Sequence, residues 1–323
     1  MRVLKLFFLL LLTVLSIPIS AYSQEVLNYK RAISVDSVNY ISSFNVNGDN
    51  IYAVDLSTFR ISRHDSNGGQ LNLVGGKGQG PGEYSEVPKF VIDRDSVVGI
   101  LDRNNMRLNF YNEFLKPLEN SENNSIVKYL NFRRPPSDVS FSDDGNLFVS
   151  FLPIDNIESV QVFNKKRELV SSFSPEIKPG NFILNSFYIN SLPQNRILLS
   201  FRFINLFQVY TVDGELLNSF SIDDLPSQVE TTDVSPNSPY GRDVPKDLLI
   251  FAPTISSNGT IYVVAAKYSP QPNKLVFQLS DSGVVENKFI LQKYSSQIIH
   301  DGGQLYSLSA ADDATIHVYD IAE

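Results

Sequence analysis

The chain has no cysteine and no tryptophan, and only three histidines among its 323 residues. Without cysteine there can be no disulfide stapling, thiol catalysis, Cys-based zinc site or acylated N-terminal cysteine anchor. His64, His300 and His317 lie far apart in the sequence, so a His-ligated metal or a Ser-His-Asp triad has little to be built from. After the first 23 residues no apolar run approaches the ~20 residues of a spanning helix, and a soluble mature protein without a membrane span is expected. Basic residues are outnumbered 27 to 35, for a formal charge of −8. That balance argues against nucleic acid and anionic membranes as partners, since both call for a basic face.

The sequence does have a charged, then greasy, N-terminus. Arg2 and Lys5 precede an apolar run from Leu6 to Ile17, which ends in Ala21-Tyr22-Ser23. This pattern predicts a secretory signal peptide over residues 1–23, cut before Gln24. The competing reading, an uncleaved anchor, is disfavoured by the shortness of the run. Cleavage would take the formal charge to −10 and deliver the protein to the periplasm or outside the cell. An exported chain without disulfides must then be held by its core.

Strand formers dominate that core, with 22 Phe and 15 Tyr supplying all the aromatic residues. One unit recurs: a short apolar strand, a Gly, Asn or Asp turn, a second strand, a loop, a third strand, a turn and a fourth strand. The copies run from Ser42 to Gly75, Lys89 to Asn120, Asp138 to Phe173, Tyr188 to Phe220, Ala252 to Phe289 and Gln297 to Ala322. Their first turns fall near Gly48, Asp95, Gly145, Asn195, Gly259 and Gly303, at intervals of 47, 50, 50, 64 and 44. Four antiparallel strands per unit expose two apolar faces, which packing around an axis would bury. The expected fold is therefore all-β: a six-bladed β-propeller filling residues 24–323. The last unit has only three strands, whereas Val26 to Asp36 is strand-like and belongs to no unit. The N-terminal segment should complete the last blade as its outer strand and remove the open edges.

The stretch from Gly75 to Phe114 resembles the NHL-repeat propellers. The matching residues are Gly80-Pro81-Gly82-Glu83-Tyr84, Pro88, Ile92-Asp93, Leu101-Asp102, Asn105 and Arg107. Val54-Asp55 and Arg60 echo the pattern in the first unit, and Asp143 to Asn146 echo its turn in the third. The Gly-Pro-Gly-Glu segment is also similar to that of secreted six-bladed propellers of Bacteroidota-type bacteria. The resemblance implies a fold and says little of function. Units four and five lack the Asp and Arg positions, so no family function carries around the ring.

Several motifs have both a functional and a structural reading. The glycines between Lys77 and Tyr84 lack the Gly-Lys-Ser/Thr ending and a following helix, which favours an inter-blade connector over a phosphate loop. Asp102, Asn105 and Arg107 would either form a polar cluster at the channel mouth or tie neighbouring blades together. The loops between strands two and three and between strands four and one share one face. That face carries the long connections Lys77 to Pro88, Asn120 to Ser137 and Asp223 to Lys246. The last is long enough to be a lid, a docking arm or a disordered insertion. Lys77, Arg103, Arg133, Arg134, Arg202, Arg242 and Lys246 map there and could receive a carboxylate, sulfate or phosphate, against the plainer reading of solvated charge. Tyr84 and Tyr240 are candidates to stack on a sugar ring, against the plainer reading that a Tyr in either loop simply packs. The candidate ligand-binding set is thus Tyr84, Arg103, Arg133, Arg134, Arg202, Tyr240 and Arg242.

Two functions compete. The first is an exported, monomeric, non-enzymatic binding module whose long-loop face takes a protein, peptide or carbohydrate, with no cofactor. The second is a metal-dependent hydrolase or lyase of the propeller lactonase or amidating-lyase type. Its divalent cation, such as calcium, would sit in the central channel near Asn45, Asp93, Asn190 and His300. No catalytic residue is assigned in either reading.

Overall fold

The structure, a computed structural model, describes residues 24–80, 82–118, 128–154, 157–177, 181–233, 243–309 and 314–321. The expected leader, residues 1–23, lies outside the described residues. All regular structure among the described residues is β: six small sheets, each with four antiparallel strands, form the blades, and a two-stranded hairpin and one short parallel edge strand are added to them.

Blade one comprises Ile41–Asn47, Asn50–Asp55, Arg60–His64 and Gln70–Gly75, and blade two Lys89–Ile92, Val98–Asp102, Arg107–Tyr111 and Tyr129–Asn131. Blade three is Pro136–Phe141, Leu147–Phe151, Val160–Phe163 and Leu169–Phe173, and blade four Phe187–Leu192, Arg196–Phe201, Phe207–Tyr210 and Leu216–Phe220. Blade five is Thr254–Ile255, Ile261–Val264, Leu275–Leu279 and Val285–Ile290. Blade six has Gln297–Asp301, Gln304–Leu308 and Thr315–Asp320, and its outer strand is the N-terminal Asn28–Ser34, antiparallel to Thr315–Asp320. The expected closure is therefore observed. It has an addition: Gln24–Val26 pairs in parallel with Val285–Ile290, so the N-terminus spans blades five and six.

Second strands are the most buried. Val98–Asp102, Leu147–Phe151 and Ile261–Val264 are buried at every position, because each lies inside a sheet covered on both faces. Their sequences are accordingly near-continuous apolar runs rather than alternations. The core divides into six clusters, each between two adjacent blades. Tyr52, Val54 and Ile61 of blade one meet Phe90, Val98 and Ile100 of blade two. The ring-closing cluster joins Ile33, Val35, Ile316 and Val318 to Phe44, Val46 and Ile51 of blade one. Beside it, the Gln297 amide accepts from the Phe44 N–H at 3.1 Å and donates to the Phe44 carbonyl at 2.8 Å. One side chain thus stands in for a strand partner between the last and first blades.

Two departures from the sequence reading have local causes. The outer strand of blade two is Tyr129–Asn131, not the end of the unit near Asn120, and it lies within what the sequence suggested was a connection. Leu115 takes φ 58° and is buried, and Leu118 N–H bonds Phe110 O at 3.1 Å. The chain touches the blade edge there, but Pro117 has no N–H to continue the ladder. The base of the 223–246 insertion is packed rather than peripheral: Leu225 and Val229 belong to the core between blades four and five. Beyond it, Thr231–Asp233 pairs with Asp243–Pro245 as a separate hairpin.

The turns between third and fourth strands repeat one device. Asp65, Asn112, Asn164, Thr211 or Ser280 starts the turn, and its side-chain oxygen accepts the N–H four residues on. The residue three positions after it has positive φ: Gly68, Leu115, Arg167, Gly214 and Gly283. This fourth position abuts the preceding blade, so a Cβ on Gly214 would come within 2.7 Å of Phe173, and one on Gly283 would overlap the Phe220 ring. Gly283→Ala combines a left-handed backbone with overpacking and should cost about 2–4 kcal/mol. Gly48→Ala, at φ 58° with no atom within 4 Å, should cost only about 1 kcal/mol. Denaturant melts of both variants test this packing, and equal costs would contradict it.

Candidate functional site

The innermost strands of all six blades line a central cavity of about 690 Å³. Side chains alternate along these strands. Phe44, Val139 and Ile189 point into the inter-blade cores, while Asn45, Ser140 and Asn190 are only partly buried and line the channel. Inner strands have one unpaired backbone edge, and much of the channel's polarity serves that edge. Ser191 N–H donates to Ser140 Oγ at 3.0 Å, His300 N–H to Thr254 Oγ1 at 3.0 Å, and Asn190 Nδ2 to Pro253 O at 3.2 Å. Each of these bonds joins neighbouring blades.

At the end where the inner strands begin, this wall becomes charged. Lys89 Nζ lies 3.4 Å from Asp138 Oδ1 and donates to Ser137 O at 3.2 Å. Arg103 Nε donates to Pro136 O at 3.0 Å and lies 3.9 Å from Glu86. Arg202, just after the second strand of blade four, sits over the Tyr188 ring at 4.3 Å from its centroid. Desolvation holds the Lys89 ammonium below its ordinary range; the Asp138 carboxylate opposes this, and Arg202 and Arg103 add to it. Burial likewise pushes the Tyr188 phenol up, against the pull of Arg202. Arg202 itself makes no side-chain hydrogen bond or ion pair with the described residues, and its Nε is buried without a partner.

Of the candidate residues read from the sequence, Arg103 and Arg202 come together here, both acting electrostatically on Lys89. Tyr84 does not: it is fully buried, with its hydroxyl 3.3 Å from that of Tyr111 in the core between blades one and two, which corrects the expectation of a sugar-stacking ring. Arg134 donates to the carbonyls of Leu152 and Glu158 and stacks on Phe151, so its charge tethers a loop. Arg133 is exposed on the connection into blade three. Tyr240 and Arg242 lie outside the described residues. Lys77 sits over the Phe59 ring, and Lys246 pairs with Glu230. Asp102 receives Asn105 Nδ2 at 2.8 Å and Arg107 at 3.1 Å, closing a turn within blade two rather than bridging blades.

Lys89, Asp138 and Tyr188 were missed by the sequence reading. Each stands near the start of an inner strand, on the channel side of its alternation. The channel candidates Asn45, Asp93, Asn190 and His300 do line the cavity. Asp93 Oδ1 accepts Val97 N–H at 2.7 Å in a turn, and His300 stacks on Tyr262 with centroids 5.0 Å apart. Among the described residues, no group of three His, Asp or Glu is close enough to hold a metal ion, and no helix is long and apolar enough to cross a membrane.

A family model described as 6-bladed beta-propeller matches residues 36–237. No curated protein matches the chain. Among solved structures it is similar to a Bacteroides fragilis protein provisionally classed as exported, at 12% identity, covering 94% of this chain and 98% of that one with TM-score 0.61. It is also similar to a member of the duf4221 family from Bacteroides vulgatus, at 12% identity, 91% and 97% coverage and TM-score 0.58. A third similar structure is virginiamycin B lyase from Staphylococcus aureus, at 12% identity, 87% and 80% coverage and TM-score 0.54. At such identities the likeness is one of fold.

His64 shows how a buried histidine serves the fold instead of a site. Its Nδ1 faces the Gly68 carbonyl at 3.1 Å, so that nitrogen carries the proton, and Nε2 accepts from the Ser62 hydroxyl at 2.6 Å. Burial lowers its pKa below the ordinary 6.5, against the pull of Gly68, Asp36 and Asp65. The unfolded chain therefore takes up a proton that the folded chain refuses, and this group's share of stability is lost as pH falls below 6.5 toward the folded value. Melting temperatures between about pH 7.5 and 5.5 should fall less steeply for His64→Gln than for the native chain. Parallel curves would contradict a neutral, buried His64.

Proposed function

The chain belongs to this family of six-bladed propellers, DUF5128, and on that footing we propose that it is an exported, monomeric, non-enzymatic binding module. Its long-connection face docks a protein, peptide or carbohydrate and places an acidic group of that partner in the channel mouth. Export is supported by the charged, apolar and small-residue order of the first 23 residues and by the likeness to the Bacteroides fragilis protein.

The observation that carries the reading is Arg202. Several partly or fully buried arginines bond within the protein: Arg107 to Asp102, Arg196 to Asp281, Arg167 to the Gly145 carbonyl. Arg202 is held over Tyr188 and makes no side-chain hydrogen bond or ion pair among the described residues. A guanidinium presents a planar fork that fits a carboxylate or related anion, and a partly desolvated setting strengthens such a bond. Lys89 and Arg103 add positive charge, while Asp138 and Glu86 offset part of it. The mouth is thus locally cationic on a chain of net charge −8, a contrast that draws anions to this spot.

The test is the melting temperature of the chain from Gln24 onward with acetate, sulfate, hexuronate and acidic peptides, with their neutral counterparts, and with chelator and divalent cations. A ligand at about 100 times its Kd adds about 2.7 kcal/mol, a shift of several degrees at this size. At least one acidic probe should raise the melting temperature of the native chain and not that of Arg202→Gln. Destabilisation by chelator with rescue by one metal, and indifference to every acidic probe, would replace this reading with the channel-enzyme one.

A further inference from the structure

We propose that the ligand of the channel mouth is a sugar acid, with its carboxylate on Arg202 and its hydroxyls on the wall below. This rests on the binding-module reading above and narrows it to one chemical class.

The charge of the mouth sets the first condition. Lys89, Arg103 and Arg202 face Asp138 and Glu86, which leaves one positive charge. A single carboxylate balances it, whereas a phosphate monoester, with a charge of roughly −1.5 to −2 near neutral pH, would overshoot. Geometry favours the same group, since the Arg202 fork matches the two oxygens of a carboxylate. The Tyr188 hydroxyl, on the ring beneath Arg202, has no hydrogen-bond partner among the described residues and offers another donor.

The second condition comes from the wall. Going down the inner strands by two residues, about 6.6 Å, Tyr188 is followed by Asn190 and Asp138 by Ser140. The Ser140 oxygen accepts Ser191 N–H at 3.0 Å, which leaves its own hydrogen free to donate. Asn190 donates one N–H to Pro253 O, and its Oδ1 is buried without a partner among the described residues. Across the channel the Asn45 amide makes no side-chain hydrogen bond among the described residues. A wall of hydroxyls and amides suits a ligand that carries several donors and acceptors. An acidic peptide side chain would bring methylenes to the same groups and leave them unsatisfied. The cavity, about 690 Å³, lies within the range of small-ligand sites.

Calorimetric titration of the chain from Gln24 onward with galacturonate and glucuronate decides the matter, with galactose, glucose, acetate and a glutamate-rich tripeptide as comparison probes. At least one hexuronate should bind, with its neutral hexose and acetate each weaker by about tenfold or more. Arg202→Gln should weaken hexuronate binding by about tenfold or more at unchanged melting temperature. Tyr188→Phe, which keeps the ring, should weaken it less. Equal binding of hexose and hexuronate, or an affinity indifferent to Arg202→Gln, overturns the proposal. Binding of the acidic tripeptide or acetate alone, lost in Arg202→Gln, also overturns it and leaves the binding-module reading standing. Silence from every acidic probe brings both down.

Discussion

Every blade has two apolar faces and no way to bury either by itself. Burying a large apolar side chain is worth roughly 1.5–3 kcal/mol, and side chains such as Phe44, Phe110, Phe148, Phe207 and Phe277 are nearly or fully buried at the interfaces between blades. The six cores are therefore links in a ring, and each is complete only when both flanking blades are in place. Five of them join blades consecutive in the chain. The sixth joins the two ends of the chain, and Ile33 and Val35 must come from the N-terminus to fill it. With no disulfide to close the ring, this core and the Gln297 clasp on Phe44 do so.

Ring closure also accounts for the site. Six inner strands turned toward an axis leave backbone edges unpaired, and polar side chains on those strands cap them. Gln297, Ser140 and Thr254 are occupied in this way. What remains after that requirement is met is chemically informative: the Arg202, Asn45 and Tyr188 side chains line the channel without a hydrogen-bond partner among the described residues. They gather at or below the mouth where the long connections begin, and a rigid scaffold with loops at one rim is a common setting for recognition.

Much of the fold was legible because it rests on local rules. All six first-turn positions fall in observed inner turns, and Gly48, Gly145, Asn195, Gly259 and Gly303 have positive φ. In the second unit that conformation falls on Ser96 rather than Asp95. The closing strand was legible because a three-stranded last unit and an orphan strand fit together. The outer strand of blade two was not, because its partner segment is interrupted by Pro117 and resumes at Tyr129. Individual site residues were harder still. The sequence shows that Tyr84 lies in a polar, glycine-rich loop, but not that the loop folds its ring under Gly75 into a core. It shows arginines on one face, but not that Arg134 is tied to carbonyls while Arg202 has no hydrogen-bond partner among the described residues. That difference depends on contacts between blades, which no local pattern encodes.

The most direct measurement compares chemical unfolding of the chain from Gln24 onward with two truncations, one lacking residues 24–26 and one lacking residues 24–36. Gln24–Val26 is exposed and adds only a parallel edge to blade five, so its loss should leave a cooperative transition with a slightly lower midpoint. Removal through Asp36 opens the ring-closing core and should abolish the single transition or broaden it with a reduced m-value. A peptide spanning residues 24–36, added in trans, should restore it. An unchanged, cooperative transition in the longer truncation would contradict the dependence of the fold on closure by the N-terminal strand.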